Sequence, residues 1–213
     1  QADGSQRWVV DDRPIEPSGA GFSEAALAAQ SPNERLRAMD KDGIDYSVLY
    51  PSASGMSGEW FGRLDDIELE TASVQAYNDW LIEEWVNQSP RFVAQCIVPL
   101  WPMDRTVAEI RRAVKLGHKG VIYPAWPMEL KNVPHINEPD YDPLWAVCQE
   151  LNVPLCFHSG ASPRIQMRPD ENFSPATARA FRGIVRSVSS IAVLANFLFS
   201  KVLYRFSDLR VVF

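Results

Sequence analysis

Five short apolar segments recur along the chain, each bounded by polar or small residues. Between them, apolar residues recur every three or four positions, as Leu144, Val147, Cys148 and Leu151 do, which is the spacing of one face of a helix. The pattern predicts strands that alternate with helices, and the mostly apolar strands indicate a parallel sheet buried on both faces. The predicted strands span 44–50, 92–98, 118–123, 153–158 and 209–213.

The predicted helices carry recognisable start and stop signals. Ser31 and Glu34 form the pattern of a capping box around Pro32, and Gly43 predicts the end of that helix. Asp104 is predicted to cap a later helix. The further predicted helices span 66–87, 104–116, 142–151 and 174–202.

The last predicted helix has two different sides. Arg179, Arg182 and Arg186 line one side, which is interpreted as a solvated face that is also open to a partner subunit. Apolar residues line the other side, namely Phe181, Val185, Val188, Ala192, Ala195 and Phe199.

The first thirty residues differ from the rest of the chain. A small hairpin over 7–15 is predicted to turn at Asp11 and Asp12, and 16–30 is predicted to be a connecting loop. We therefore divide the chain into an N-terminal hairpin and loop insertion, 1–30, and a partial (β/α) barrel domain, 31–213.

Alternating strands and helices are typical of a (β/α) barrel or of an open, doubly wound sheet. GxGxxG and GxxxxGK[ST] are phosphate-binding motifs that commonly mark an open sheet. Neither motif follows a strand in this sequence, so the open sheet lacks this support. In a barrel, functional residues lie at the strand C-termini and in the following loops, although packing is a competing role for each aromatic residue. The candidates at such positions are Tyr50, Ser52, Trp101, Trp126, His158 and Ser159.

His158 is the most informative candidate. The sequence VPLCFHSGA (153–161) is an apolar strand that ends in a histidine and then breaks into small residues. A histidine delivered to a loop in this way is either a metal ligand or acid–base group, or a hydrogen-bonded core residue. Of the other two histidines, His118 at a strand start is interpreted as structural. His135 lies in a long loop, where contact with solvent is favoured over contact with substrate.

The composition of the chain indicates which binding partners and which cellular compartment to expect. The net charge of −6 gives no electrostatic footprint for nucleic acid or an anionic membrane, and the apolar stretches fall short of a membrane span. No export signal is visible, and the three cysteines lack CxxC spacing. We expect buried thiols in a cytoplasmic protein, with neither nucleic acid nor a membrane as partner.

Six segments, in this order and spacing, resemble the amidohydrolase-related hydrolases and decarboxylases, the branch that includes aminocarboxymuconate-semialdehyde and resorcylate decarboxylases. The resemblance spans roughly residues 31–213. The matching segments are ERLRAMDKDGID (34–45), YNDW (77–80), IVPL (97–100), AVKLGHKGV (113–121), YDPLW (141–145) and PLCFHSGA (154–161).

The resemblance implies a (β/α)8 TIM barrel with a divalent metal, zinc or manganese, and it places His158 on strand five as a metal ligand. It further implies hydrolysis or non-oxidative decarboxylation of a small organic, possibly aromatic, acid, and a homo-oligomer. Two features depart from the family pattern. The H-x-H strand is absent, and the chain ends on what resembles strand six. We therefore expect a partial chain that does not bind metal tightly, since zinc sites use about three protein ligands.

Two alternatives remain open at this stage. The missing H-x-H favours a catalytically inactive barrel relic or binding module without a full metal site. Cys156 and His158 lie on the same side of one strand, which makes a thiol hydrolase conceivable. However, same-side neighbours on a strand are about 7 Å apart, too far for a direct hydrogen bond without rearrangement.

Overall fold

The computed structural model describes residues 8–10, 13–15, 27–158 and 172–213. A two-stranded antiparallel hairpin precedes a five-stranded sheet. The strands are β1 Trp8–Val10, β2 Arg13–Ile15, β3 Ser47–Leu49, β4 Phe92–Cys96, β5 Gly120–Ile122, β6 Leu155–Cys156 and β7 Val211–Val212. The α-helices are α1 Leu27–Gln30, α2 Pro32–Asp42, α3 Ile67–Glu84, α4 Met103–Leu116, α5 Asp142–Glu150, α6 Pro175–Phe199 and α7 Val202–Arg205.

The five-stranded sheet runs in the order β3-β4-β5-β6-β7, and each neighbouring pair is parallel. A doubly wound sheet reverses its strand order at a switch point, whereas barrel strands follow one another around the axis. Because the observed order equals the chain order, the described strands are five consecutive strands of a barrel. The predicted fold class is confirmed in this respect.

Successive residues of the central strands are buried on opposite faces of the sheet. Val121 and Leu155 belong to the large core formed with α4, α5 and α6, whereas Ile122 and Cys156 pack in a separate cluster with Ile97. Both faces of β5 and β6 are therefore covered, as the apolar strand pattern predicted.

A buried polar network ties α3 to the end of β4. The Asn78 amide donates to the Ile97 carbonyl at 2.9 Å and accepts from the Ile97 N–H at 3.1 Å. Its Nδ2 also donates to Glu109 Oε1 at 2.7 Å, and Arg112 bonds the same carboxylate. Asn78 and Glu109 are buried, so each needs these partners in place of water.

Several predicted boundaries are wrong in detail. All five sheet strands are shorter than predicted, because their ends continue into loops held by single hydrogen bonds. Ser31 is the N-cap residue of α2, but its side chain makes no capping hydrogen bond. Helix α4 begins at Met103 with Pro102 as its N-cap, so Asp104 lies inside the first turn. Helix α1 lies within the segment predicted to be a loop.

The predicted hairpin is confirmed by the pairing of Trp8 with Ile15, whereas its turn at Asp11 and Asp12 lies outside the described residues. The division into 1–30 and 31–213 stays a prediction.

Helix α6 differs from the prediction in its packing. Val193 and Phe197 are its buried apolar residues, whereas Val188 and Phe199, predicted on the apolar side, are exposed by 46% and 86%. Arg179 is exposed, as predicted. The helix is also long and apolar enough to cross a membrane by length and composition, contrary to the expectation that no stretch is. One such helix is weak support for a membrane span, because core helices of soluble proteins pass the same criterion.

Candidate functional site

Strand β6 delivers His158 to the C-terminal end of the sheet. The Phe157 N–H donates to the Val212 carbonyl at 2.9 Å, which extends the pairing of β6 with β7 by one residue. The Phe157 ring packs against Phe197 and Phe213, with ring centroids 5.4 and 5.8 Å apart. Phe157 thus packs on the helix layer, and His158 is the next residue along the chain.

Tyr50 lies beside His158 at the same end of the sheet. Tyr50 directly follows β3, and its ring centroid is 5.6 Å from that of His158 in an edge-to-face arrangement. Burial, together with the neighbouring Cys156 thiol, raises the pKa of Tyr50 to about 12. The phenol therefore stays protonated at neutral pH, and its hydroxyl is hydrogen-bonded to the Cys156 thiol.

Gln95 is a buried polar residue beneath this pair. It is paired with Gly120 on the neighbouring strand, and its carboxamide lies where a side chain on Gly120 would be, 2.1 Å from an ideal Cβ. The Cys156 thiol donates to Gln95 Oε1 at 3.4 Å. Gln95 was not among the predicted site residues, although a lone amide inside the apolar strand Phe92–Cys96 is a signal for it.

A cavity of about 470 Å³ opens at this end of the sheet. Its polar lining residues are Tyr50, His158 and Ser190, and the remaining walls are apolar and partly aromatic. A concave site with mainly apolar walls and a few polar groups is typical of small-molecule binding. The apolar lining residues are Phe157, Ile191, Leu194, Val212 and Phe213.

The buried Glu70 carboxylate holds together two loops that follow neighbouring strands. It accepts from the Leu100 N–H at 2.5 Å in the loop after β4, and from Lys131 Nζ at 2.7 Å in the loop after β5. Tyr123 Oη donates to the Leu100 carbonyl at 2.8 Å. These contacts fix the loop backbone at the sheet end where the cavity lies.

The structure brings only part of the predicted residue set together. Tyr50 and His158 line the cavity, but Ser52 is exposed in a loop and is not among the described lining residues. Trp101 and Trp126 pack against the large core, next to Tyr141 and His135 respectively, and also lie away from the cavity wall. Ser159 lies outside the described residues.

The two other histidines have clearer environments. His118 is fully buried, and its Nε2 lies 3.1 Å from the Asn78 carbonyl oxygen, which agrees with the predicted structural role. His135 is exposed, and its Nδ1 accepts from the Asn137 N–H at 3.2 Å.

The chemistry of the described residues does not complete a metal site. Among them, no group of three histidine, cysteine, aspartate or glutamate side chains lies close enough together to hold a metal ion. Zinc in proteins has three or four protein ligands, so His158 would supply only a fraction of such a set.

The surroundings of Cys156 argue against the alternative in which its thiol is the nucleophile of a hydrolase. All three cysteines are free and buried, as predicted. Burial raises the pKa of the Cys156 thiol more than its hydrogen bond with Tyr50 lowers it, and the thiol donates to Gln95 Oε1. A reactive cysteine needs a lowered pKa, so Cys156 is unsuited to thiolate chemistry.

Comparison with known proteins decides the family. The amidohydrolase family model matches residues 7–213, nearly the whole chain. The chain belongs to the amidohydrolase family. This match confirms the resemblance drawn from the six segments.

Related proteins are decarboxylases by name. The gamma-resorcylate decarboxylase of Rhizobium radiobacter is 28% identical over 127 residues, which cover 58% of this chain and 37% of that protein. The solved 2,6-dihydroxybenzoate decarboxylase from Rhizobium matches with a TM-score of 0.62 and 21% identity, over 84% of this chain and 54% of its own.

A dihydroxybenzoic acid decarboxylase from Polaromonas sp. JS666, solved with manganese and 2-nitroresorcinol, matches with a TM-score of 0.63 and 22% identity, over 84% of this chain and 53% of its own. At these identities the solved structures show the fold, a (β/α) barrel. The chain spans about half the length of these solved relatives.

Proposed function

We propose that this amidohydrolase is a metal-dependent, non-oxidative decarboxylase of a small aromatic acid, and that His158 is one ligand of its divalent metal, manganese or zinc. The observation that carries the proposal is the position of His158 beside Tyr50 in the cavity at the C-terminal end of the sheet. Functional residues of (β/α) barrels lie at this end.

The cavity supports an aromatic acid as the substrate class. Its apolar and aromatic walls suit a planar ring, and its polar lining residues suit the oxygen substituents of an aromatic acid. The names of the related proteins, gamma-resorcylate and dihydroxybenzoic acid decarboxylases, favour decarboxylation over hydrolysis.

The proposal is tested by measuring CO2 release from hydroxylated benzoates in the presence of manganese. We expect turnover that His158→Ala lowers at least about 100-fold, the order seen when a metal ligand or its support is lost. His135→Ala is the matched control, because His135 is exposed and outside the cavity. Hydrolysis of amides or esters without CO2 release would contradict decarboxylation, and equal loss in both variants would contradict the role of His158.

A second candidate is a barrel that binds small molecules without catalysis. It is favoured by the lack of a three-ligand group among the residues that the structure describes. Binding of 2,6-dihydroxybenzoate that is independent of manganese and of His158, without any CO2 release, would support this candidate over the enzyme.

We further propose that the protein associates with itself and works in the cytoplasm. The three buried, free thiols support a reducing compartment. Exposed apolar side chains on α6 support self-association, since monomers rarely expose large apolar patches.

A further inference from the structure

Helix α6 extends past the C-terminal end of the sheet. Near the end of the helix, Asn196 exchanges hydrogen bonds with Asn137 in the loop before α5, and Phe197 packs on Phe157 just beyond β6. Both contacts lie at the C-terminal end of the sheet. The helix begins at Pro175, about 30 Å earlier along its axis at 1.5 Å per residue. Because α6 connects two parallel strands, it runs antiparallel to them, and its N-terminal half continues beyond this end.

One face of α6 changes from apolar to cationic along its length. Val193 and Phe197 are buried against the core, and Ser190, one turn nearer the N-terminus, lines the cavity. Steps of four and three residues along the same face lead from Ser190 to three arginines. These arginines, the arginine face of α6, are Arg179, Arg182 and Arg186.

The helix register places the arginine face on the side of α6 that lines the cavity. At 3.6 residues per turn, positions 179, 182, 186, 190, 193 and 197 fall within an arc of about 80°. The arginines were predicted to lie on a solvated side, opposite the side that packs. Instead they continue the packed side beyond the sheet, and Arg179 is exposed there.

The arginine face begins close to the cavity mouth. Position 186 is one turn from Ser190, about 6 Å along the helix axis, and position 182 is about 12 Å from it. Ser190 shares the cavity wall with Tyr50 and His158. A molecule that enters the cavity from beyond the end of the sheet therefore passes positions 182 and 186.

The local charge is opposite to that of the whole chain. The net charge of the chain is −6, but segment 172–207 contains five arginine or lysine residues and neither aspartate nor glutamate. Charges of one sign beside a cleft raise the local concentration of ligands of the opposite sign. A guanidinium also binds a carboxylate through two parallel hydrogen bonds, which suits an organic acid.

We propose that the arginine face of α6 captures the carboxylate of an aromatic acid at the mouth of the cavity, with Arg182 and Arg186 as the binding residues. The inference rests on the aromatic-acid substrate proposed above and names the residues that recognise its charge. The arginine face is a binding site and takes no part in the chemical step, because it lies outside the cavity that holds His158.

The test compares two ligands that differ only in the carboxylate, 2,6-dihydroxybenzoate and resorcinol. Their dissociation constants for the metal-free chain are measured by ligand-observed NMR at low ionic strength. Arg182→Gln with Arg186→Gln is expected to raise the dissociation constant of 2,6-dihydroxybenzoate at least about 10-fold, because charge-assisted contacts to its carboxylate are lost. The dissociation constant of the uncharged resorcinol is expected to stay the same.

The matched control removes the same amount of charge elsewhere. Arg37→Gln with Arg111→Gln changes two surface arginines on α2 and α4 that pair with Glu34 and Glu150. It is expected to leave the affinity for both ligands unchanged.

A third variant separates charge from geometry. Arg182→Lys with Arg186→Lys is expected to restore part of the affinity for 2,6-dihydroxybenzoate, since lysine keeps the charge but not the paired donors. Added salt should weaken binding of this acid to the unmodified chain and have little effect on the double glutamine variant. Circular dichroism verifies that every variant keeps its helices.

The outcomes that contradict the inference are distinct. If the unmodified chain does not bind 2,6-dihydroxybenzoate, the arginine face captures no aromatic acid. Equal loss of affinity for the acid and for resorcinol would assign Arg182 and Arg186 a structural role. Equal loss in the control would reduce the effect to net charge.

These measurements need neither metal nor turnover. Carboxylate-selective binding without CO2 release would therefore contradict the proposed decarboxylation alone. CO2 release with unchanged binding in the double glutamine variant would contradict the inference alone.

Discussion

Gln95 and Gly120 share one small volume at the base of the candidate site. Because the Gln95 carboxamide lies 2.1 Å from an ideal Cβ on Gly120, any side chain at position 120 must displace a buried amide. The amide would lose packing and its contact with the Cys156 thiol at the same time.

We expect Gly120→Ala to lower the free energy of unfolding by about 1–3 kcal/mol through overpacking. Gln95→Ala removes the clash, so the two substitutions together should cost less than the sum of their separate effects. Urea denaturation of the four proteins measures the coupling. Gly43→Ala is the control. Gly43 has a φ of 68° and nothing within 4 Å of an added Cβ, so its cost is backbone strain alone and should not change with Gln95→Ala.

His118 makes the stability of the protein depend on pH. Burial lowers the pKa of His118 from its usual value of 6.5, because the cation would lose its hydration. The unfolded chain therefore binds this proton more readily than the folded chain does. Stability is fully present above pH 6.5 and is lost as the pH falls below it, by at most about 1.4 kcal/mol per pH unit.

The pH dependence is measured by urea denaturation between about pH 5.5 and pH 7, where carboxylates of ordinary pKa are almost fully ionised. His118→Gln should flatten the slope in this window. His135→Gln, at an exposed site, should leave it unchanged, and a slope that survives His118→Gln would contradict the assignment.

At the residue scale, the sequence pattern predicted where the site residues lie along the strands and loops better than it predicted which residues their side chains contact. His158 and Tyr50 each follow a strand, and that local pattern was enough to place them at one end of the sheet. Trp101 and Trp126 follow strands too, but they are partly buried against the large core, next to Tyr141 and His135 respectively. The direction of a side chain in a loop depends on tertiary partners far along the chain, which local periodicity does not encode.

At the element scale, Asn78 joins helix α3 to strand β4. Its single amide satisfies both backbone groups of Ile97 and one oxygen of the buried Glu109. The YNDW segment that supported the family resemblance therefore has a physical role, which is to fix a helix against a strand end.

We expect Asn78→Ala to lower the free energy of unfolding by about 3 kcal/mol, because it leaves both backbone groups of Ile97 without a buried partner and removes one of the donors to Glu109. Urea denaturation measures the loss. Asp79→Ala is the matched control on the next residue. Asp79 bonds Arg112 near the surface, and such pairs contribute about 0–1 kcal/mol. A similar loss in both variants would contradict the specific role of Asn78.

Helix and strand existence was predictable, whereas their ends and partners were not. Pro102 rather than Asp104 occupies the N-cap position of α4, without a side-chain capping hydrogen bond, because the backbone becomes helical only from Met103 onward. For α6, periodicity correctly predicted a long helix. Its sequence, however, has apolar residues on two faces, and either face could pack against the core. Packing selected the face of Val193 and Phe197, and no local signal distinguishes the two faces.

At the scale of the whole molecule, the described residues supply His158 without a complete ligand set. We expect the 213-residue chain to bind manganese weakly and to lose it on gel filtration. The chain has three histidines, so their ring proton signals are separable by NMR.

Paramagnetic manganese should broaden the His158 signal most, while His118 and His135 stay sharp. Stoichiometric metal after gel filtration would contradict the first expectation. Preferential broadening of the His135 signal, with His158→Ala as the assignment control, would contradict the second.

The strand order of the sheet has a consequence for how the protein is made. Each strand from β4 to β7 pairs with the strand that precedes it in the chain. A chain leaving the ribosome can therefore add one strand and its helix at a time to a sheet that already exists, without waiting for a distant segment. Such vectorial assembly predicts that nascent chains halted after β5 or after β6 already protect the amides of β4 from hydrogen exchange.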